Sequence, residues 1–466
     1  MGKLRLRGKD LRNIGLTDNE LVALAIQIAN RHCKRMDKDA VLGQVAKVLQ
    51  TPTDYALDPA WSHFAEILLR TDAPPKMAQK LRAAPLPYAR FGAAHIEAGA
   101  IGQMDVAMRL PVAVGGALMP DAHHGYGLPI GGVLATEGAV IPYGVGVDIG
   151  CRMCLSIFEA PADYIHDHRQ SLKSLLEQHT FFGHQTDPDP MDDAVLEHRA
   201  FQEIPFVKKL KNKAFQQIGS SGSGNHFVEF GIVEMKDRHT LGLPDGPLLA
   251  LLSHSGSRGL GATIAQHYTK IAMEKCLLPK EAQHLAWLSL DDEDGQAYWR
   301  AMQLAGNYAA ACHAHIHQRL ARELGMARLA TIENHHNFAW EETLKDGRKV
   351  VVHRKGATPA KMGEWGIIPG SMTAKGYIVR GKGEAGALWS ASHGAGRLLS
   401  RQKAKSSFTK KELLDYLKMK GVELIGGDVD ESPFAYKNIE EVMGAQSALV
   451  EVVGSFTPKI VRMDGN

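Results

Sequence analysis

The stretch "LPVAVGGALM", Leu110 to Met119, is a short apolar run rich in Val, Ala and Gly, and such runs read as strands. It opens a series. "GGVLAT" (Gly131–Thr136), "VVHR" (Val351–Arg354), "IIPGSM" (Ile367–Met372) and "GYIVRG" (Gly376–Gly381) have the same character and alternate with turns. Helical stretches intervene, the longest around Ala297–Gly325, which ends at a glycine as helices tend to. Between Phe91 and Val461 there is no low-complexity linker, no internal repeat and no regular βαβ rhythm. The expectation is one large α+β domain of mixed sheets and helices over 91–466. Residues 1–90 read instead as a helical N-terminal appendage. There Thr17 and Glu20 fit a capping box, Leu21, Leu24, Ala25 and Ile28 make one apolar stripe, and prolines from Pro52 to Pro87 end the helices.

Composition narrows the class. With 44% hydrophobic and 23% charged residues, the 466-residue chain is that of a globular protein. A net charge of +3 means that any nucleic-acid contact must come from a local basic patch. The basic start "MGKLRLRGKD" is followed by no signal-peptide core, no run of 18 apolar residues occurs, and five cysteines argue against a disulfide framework. These features point to a reduced, cytoplasmic protein. Many of the 47 glycines and 22 histidines fall in the same short segments.

In "SASHGAGRLLSR" (Ser390–Arg401), His393 precedes Gly394, Ala395 and Gly396. Either the histidine packs a loop, or the turn lets backbone N–H groups approach a phosphate that the imidazole attacks. "GVGVDIGCRMC" offers Asp148 and Cys151 as mixed oxygen and thiolate ligands, with Cys154 as packing. "GSSGSGNHFVEF" carries Asn225, His226 and Glu229; "LLSHSGSRGLG" carries His254; "IENHHNFAW" carries His335, His336 and Asn337. Each sits where a polar or glycine-rich turn abuts an apolar run, as ligand-holding residues do, and the donors suit one or two borderline divalent metals. "HAHIH" (His313, His315, His317) lacks the glutamate of a zinc-protease helix and reads as helix surface or core. In the cluster His353, Arg354 and Lys355 the arginine and lysine suit phosphate, and the basic residues Arg397, Arg401, Lys403 and Lys405 beside His393 suit nucleic acid.

Taken in order, "MPDAHHGYGLPIGGVLAT", "GVGVDIGC", "GSGNHFVE", "HSGSRGLG", "HHNFA", "HRKGAT", "IPGSM", "SHGAGR" and "DESPFAYKNIEEVM" resemble the RtcB family of RNA-splicing ligases, from about Ile96 to the C terminus. The resemblance implies joining of an RNA 3′-phosphate or 2′,3′-cyclic phosphate to a 5′-hydroxyl, with GTP and two Mn²⁺ ions, in tRNA splicing or RNA repair. An activating protein such as archease is a possible partner. His393 would be the nucleophile that becomes guanylylated. Asp148, Cys151 and His226 would bind one metal, and Cys151, His254 and His336 the other. The guanylate would lie against Asn225, His226, Phe227, Val228 and Glu229, against His336 with Asn337, against Pro369, Gly370, Ser371 and Met372, and against His393, Gly394, Ala395 and Gly396.

Three positions depart from the family pattern. Arg152 follows Cys151 where a small residue is usual, Gly376 stands where the nucleotide pocket would have a serine, and Met463 occupies the place of a guanine-contacting lysine. They point to a specialised paralogue with altered nucleotide recognition. Two other readings of the same residues stay open: a metal-dependent phosphohydrolase acting on RNA ends, and a non-catalytic RNA-binding metalloprotein.

Overall fold

The computed structural model of the chain describes residues 6–16, 18–33, 36–69, 79–188, 190, 192–237 and 239–465. The chain forms two compact units, Met1–Met77 and Ala78–Asn466. The first is helical: Gly8–Arg12, Asn19–His32, Lys38–Gln50 and Ser62–Leu69. Leu21, Ala25 and Ile28 are buried with Val41, Val45, Val48 and Phe64, as the helical spacing of apolar residues requires. The capping box of Thr17 and Glu20 lies outside the described residues. Asp18 Oδ1 accepts the Leu21 N–H at 3.0 Å, and Asp37 caps the next helix by accepting from Ala40 N at 2.8 Å.

The second unit has the expected α+β architecture, built on two main sheets. Across the eight-stranded sheet the order is Trp365–Ile368, Gly376–Gly381, Val450–Met463, Phe227–Met235, Leu248–Ser255, Arg152–Pro161 and Arg328–His335; Glu423–Ile425 pairs in parallel with Val450–Met463. The five-stranded sheet runs Ala89–Arg90, Ala113–Tyr126, Leu128–Thr136, Lys349–Lys355 and Asn337–Thr343. The runs anticipated as strands are strands, with two shortened: Leu110–Met119 enters its strand only at Ala113, and after Ile368 the chain turns at Pro369, which has no N–H to continue a ladder. His336 alone joins Arg328–His335 of one sheet to Asn337–Thr343 of the other. The two sheets therefore meet at that residue.

Behind the eight-stranded sheet lies the long helix Glu293–Leu324, which ends with Gly325 in the left-handed conformation at φ 65°. His313, His315 and His317 are all buried, the first and last against the sheet and His315 on another face, so "HAHIH" belongs to the core.

The expected phosphate cluster at 353–355 is largely internal. His353 is fully buried, and its Nε2 accepts the Ile141 N–H at 2.9 Å. Arg354 is also fully buried. It donates to Glu342 Oε1 at 2.9 Å, Ser390 Oγ at 2.7 Å and the Leu388 carbonyl at 2.8 Å, tying the five-stranded sheet to the segment that leads to His393. Glu342→Leu would leave a guanidinium buried without its counter-charge. The expected loss is about 3–5 kcal/mol of unfolding free energy, measured by urea denaturation. A loss under about 1 kcal/mol would mean that Ser390 and the Leu388 carbonyl suffice.

Candidate active site

Four adjacent strands of the larger sheet end on one edge, and their register decides which side chains meet there. Phe227 and Met153 flank His254 from its two sides, and Arg152 lies opposite His335. His226 and Cys151 immediately precede their strands and His336 follows its own, so all three gather beside His254. Cys151 Sγ lies 3.1 Å from His254 Nε2 and 3.4 Å from His226 Nε2. His254 Nε2 is 3.2 Å from His336 Nε2, and Asp148 Oδ2 is 2.9 Å from His226 Nε2. Asp148 is held by the Ser257 N–H at 3.2 Å, and Gly256 is required beside it, because a Cβ there would collide with the carboxylate.

Burial, then His226, pulls His254 down to about 3, and burial, then His393, holds His336 well below the ordinary imidazole range. Both rings are therefore neutral at pH 7. His254 Nδ1 carries its proton toward the Asn225 carbonyl at 3.1 Å, leaving Nε2 bare. The buried Nδ1 atoms of His226 and His336 have no hydrogen-bond partner among the described residues. Burial pushes the Cys151 thiol well up, with Asp148 adding to it; a dication would reverse that shift. For Asp148, burial raises the carboxyl but the His226 imidazole outweighs it, and the net shift is downward. A carboxylate, a thiol and three imidazoles, two of them neutral, with converging donor atoms fit a borderline divalent metal. His335 takes no part. It points to the other face of the strand, stacked on Phe338 and edge-on to Trp340.

His393 sits beside this group, its ring centroid 5.0 Å from that of His336. Asp121, fully buried on the Ala113–Tyr126 strand, accepts from His393 Nδ1 at 2.7 Å, from His393 N at 3.1 Å and from Gly394 N at 3.4 Å. Burial raises the Asp121 carboxyl, but His393 outweighs it and the group stays ionised. The carboxylate fixes the proton on Nδ1 and leaves Nε2 with the lone pair. The amides of His393 and Gly394 thus serve to orient the imidazole instead of cradling a phosphate. Gly396, at φ 74°, packs so closely on the Asp121 backbone that no Cβ fits. Asp121 went unassigned from the sequence because its partner lies 272 residues away. Its signal was chemical: a nucleophilic histidine needs an acceptor for its second nitrogen.

Asp148, Cys151, His226, His254, His336 and His393 open into one cavity of about 790 Å³. Asn225, Phe227 and Glu229 line it from the larger sheet, and burial pushes the Glu229 carboxyl well up. Asn337 joins them, accepting the Gly356 N–H at 2.8 Å and donating to the Asp148 carbonyl at 3.3 Å. Pro369, Gly370, Ser371 and Met372 form another wall with Gly376, where an added Cβ would press on Pro369 at 3.3 Å. Gly394, Ala395 and Gly396 also line the cavity. The Val228 side chain lies on the opposite face of its strand, in an apolar cluster with Phe158 and Phe230. Arg152 turns away, 3.9 Å from Glu333.

Lys355 reaches the cavity, donating to the Tyr126 carbonyl at 2.5 Å, and burial lowers its ammonium to about 7. Three of the four basic residues after His393 are charge-matched, Arg397 meeting Glu431 at 3.3 Å, Arg401 meeting Asp430 at 2.8 Å and Glu431, and Lys405 meeting Asp428 at 2.7 Å, while Lys403 is exposed.

A buried group of carboxylate, thiol and imidazole side chains that could hold a divalent metal thus faces a carboxylate-oriented histidine across one cavity. The family profile described as "tRNA-splicing ligase RtcB" matches residues 103–204 and 191–464. "RNA-splicing ligase RtcB" of Escherichia coli K12 is 32% identical over 366 residues, covering 72% of this chain and 87% of that one. "tRNA-splicing ligase RtcB" of Thermococcus kodakarensis is 31% identical over 399 residues, covering 70% and 82%, and "RNA-splicing ligase RtcB homolog 1" of Entamoeba dispar is 29% identical over 427 residues, covering 76% and 80%. The chain belongs to the RtcB family.

The geometry separates the two cysteines of Cys151-Arg152-Met153-Cys154. Cys151→Ala is expected to weaken Mn²⁺ or Co²⁺ binding by about 10–100-fold, as loss of a supporting group already does in other metal sites. Cys154→Ala should leave the metal content of dialysed protein unchanged. Equal losses in both variants would favour a two-cysteine metal site.

Proposed function

We propose that the protein is a GTP- and manganese-dependent RNA ligase that joins RNA 3′-phosphate or 2′,3′-cyclic phosphate ends to 5′-hydroxyl ends. The observation that carries this reading is the 2.7 Å contact between Asp121 and His393 beside the metal donors. A metal site alone would serve a phosphohydrolase equally well. A tautomer-fixed imidazole with a free Nε2 facing the same cavity is what covalent nucleotidyl transfer needs.

His393 Nε2 attacks the α-phosphorus of GTP, forming an N–P bond as the bond to pyrophosphate breaks. An oxygen of the RNA 3′-phosphate then attacks that phosphorus and breaks the N–P bond, which leaves the RNA end activated by GMP. The 5′-hydroxyl attacks the RNA phosphorus, gives its proton to a base, and expels GMP. A cyclic phosphate end is first opened by water. Two manganese ions, one on Asp148, Cys151 and His226 and the other on Cys151, His254 and His336, would neutralise charge on the reacting phosphates. Lys355, which reaches the cavity, would be a cation for an RNA phosphate. The five cysteines, all buried and unpaired, suit the reducing cytoplasm.

Incubation with α-labelled GTP and Mn²⁺ followed by denaturing electrophoresis tests the reading: a phosphohydrolase or a passive RNA binder would retain no label. His393→Ala should abolish labelling with metal content unchanged. Asp121→Ala should slow it by roughly 10²–10⁴-fold, the loss expected when a catalytic imidazole is no longer oriented. Full labelling of His393→Ala would remove the histidine from the nucleophile role.

Nucleotide choice is the place where this chain should differ from lysine-ended relatives. Met463 is buried in an apolar cluster with Met372, Phe227 and Val461 and lines the cavity. Its thioether has no donor to offer a guanine. Arg462 does not replace the lysine: its guanidinium lies over the Phe182 ring at 5.4 Å and donates to the Met463 carbonyl at 3.1 Å. Discrimination of GTP from ATP should therefore be weak, and Met463→Lys should sharpen it by ~1–3 kcal/mol, the value of a good donor contact to a base edge. Rates of guanylylation and adenylylation measure it. Strict exclusion of ATP by the native protein, unchanged in Met463→Lys, would show that the tail does not read the base.

A further inference from the structure

Directly behind the metal donors, on the other face of the same strands, is a second group of buried polar side chains: His313 and His317 from the long helix, Ser253 from the His254 strand and Ser156 from the strand that follows Cys151. Cys154 lies close enough to His313 and His317 for the three to resemble a metal site. The hydrogen bonds favour a different role. His313 Nε2 is 3.1 Å from the Ser255 carbonyl, which can only accept, so that nitrogen carries the ring's proton. His313 Nδ1 must then accept, and it does so from the Ser253 hydroxyl at 2.6 Å. With its hydrogen committed, Ser253 Oγ accepts from His317 Nε2 at 2.7 Å, and His317 Nδ1 accepts from Ser156 Oγ at 2.7 Å. Every ring nitrogen is used and no lone pair is left for an ion.

The direction of this chain is fixed throughout, because burial keeps both rings neutral, lowering His313 well below the usual range and His317 to about 3. Its anchor points straddle the metal donor: Ser253 and Ser255 are the residues on either side of His254. Helical spacing at i and i+4 puts His313 and His317 on one face, so a single rigid helix grips both ligand-bearing strands. His315, on another face, donates instead to Asp193 at 2.9 Å.

We infer that His313, His317, Ser253 and Ser156 form a positioning network that holds the strand carrying His254 against the strand following Cys151, in the register that brings their metal-binding atoms together. The inference rests on the metal reading of the proposed function, but its test does not depend on that reading alone. His313→Leu removes both hydrogen bonds that flank His254, whereas His315→Leu removes a comparably buried histidine from the same helix and serves as the structural control. In His313→Leu, Co²⁺ affinity should fall at least about tenfold, and the thiolate-to-cobalt absorption band should shift. In the metal-free protein, amide hydrogen exchange at residues 253–255 should accelerate. His313→Gln, which restores a donor near the position of Nε2, should recover most of the affinity, and His315→Leu should change neither readout. Should His313→Leu fail to fold, Ser253→Ala, a smaller change that cuts the same chain, is expected to give the same losses.

Equal effects of His315→Leu and His313→Leu on affinity and exchange would overturn the inference. So would a metal ion retained by Cys151→Ala protein and lost on adding Cys154→Ser, which would make the cluster a metal site. If the native protein binds no Co²⁺, the metal reading fails, and local exchange at 253–255 still decides whether the network pins the strand.

Discussion

A thiol and three imidazoles linked in a chain by contacts of 3.4, 3.1 and 3.2 Å and out of water make a group of lone pairs with too few hydrogens to join them. Each buried polar atom left without a partner costs about 1–3 kcal/mol, so flexible chains would separate these groups or hydrate them. The fold prevents both by placing each group at a strand end. A one-residue slip in any of the four strands would turn its donor to the opposite face. His336 adds the strictest condition, since it is the single residue between two sheets and is aimed only when both are in place. The partners lie 75, 103 and 82 residues apart in sequence, which is why a large, continuous α+β unit is needed to carry so small a site.

The same condition explains what the sequence could and could not convey. Strands were legible because "GYIVRG" and its kin are short apolar runs, and the long helix was legible to its end because Gly325 supplies the left-handed cap. The donors could be singled out because glycine-rich turns beside apolar runs are local features. Pairings across the sheets are not local. Nothing near Asp121 announces a contact with His393, and nothing near Arg354 separates a phosphate ligand from a buried ion pair with Glu342. The basic run from Arg397 to Lys405 reads in sequence as a patch for nucleic acid, whereas the fold sets the acidic loop at 428–431 against Arg397, Arg401 and Lys405.

Histidine is used in three ways within this one region, and the atom that meets the ring's protonated nitrogen distinguishes them. His254 gives its Nδ1 proton to a backbone carbonyl and offers Nε2 to the donor group. His313 gives its Nε2 proton to a carbonyl and accepts a serine hydroxyl at Nδ1, so it is saturated and acts as a strut. Among these three, only His393 has a carboxylate. A ring that coordinates a metal shares a lone pair and needs its far nitrogen merely protonated, which a neutral carbonyl achieves. A ring that attacks phosphorus becomes cationic as the new bond forms, and in a buried site that charge requires a counter-charge at the far nitrogen. Asp121, ionised although fully buried, supplies it where the proposed chemistry develops positive charge, and the ring that only has to stay neutral has none.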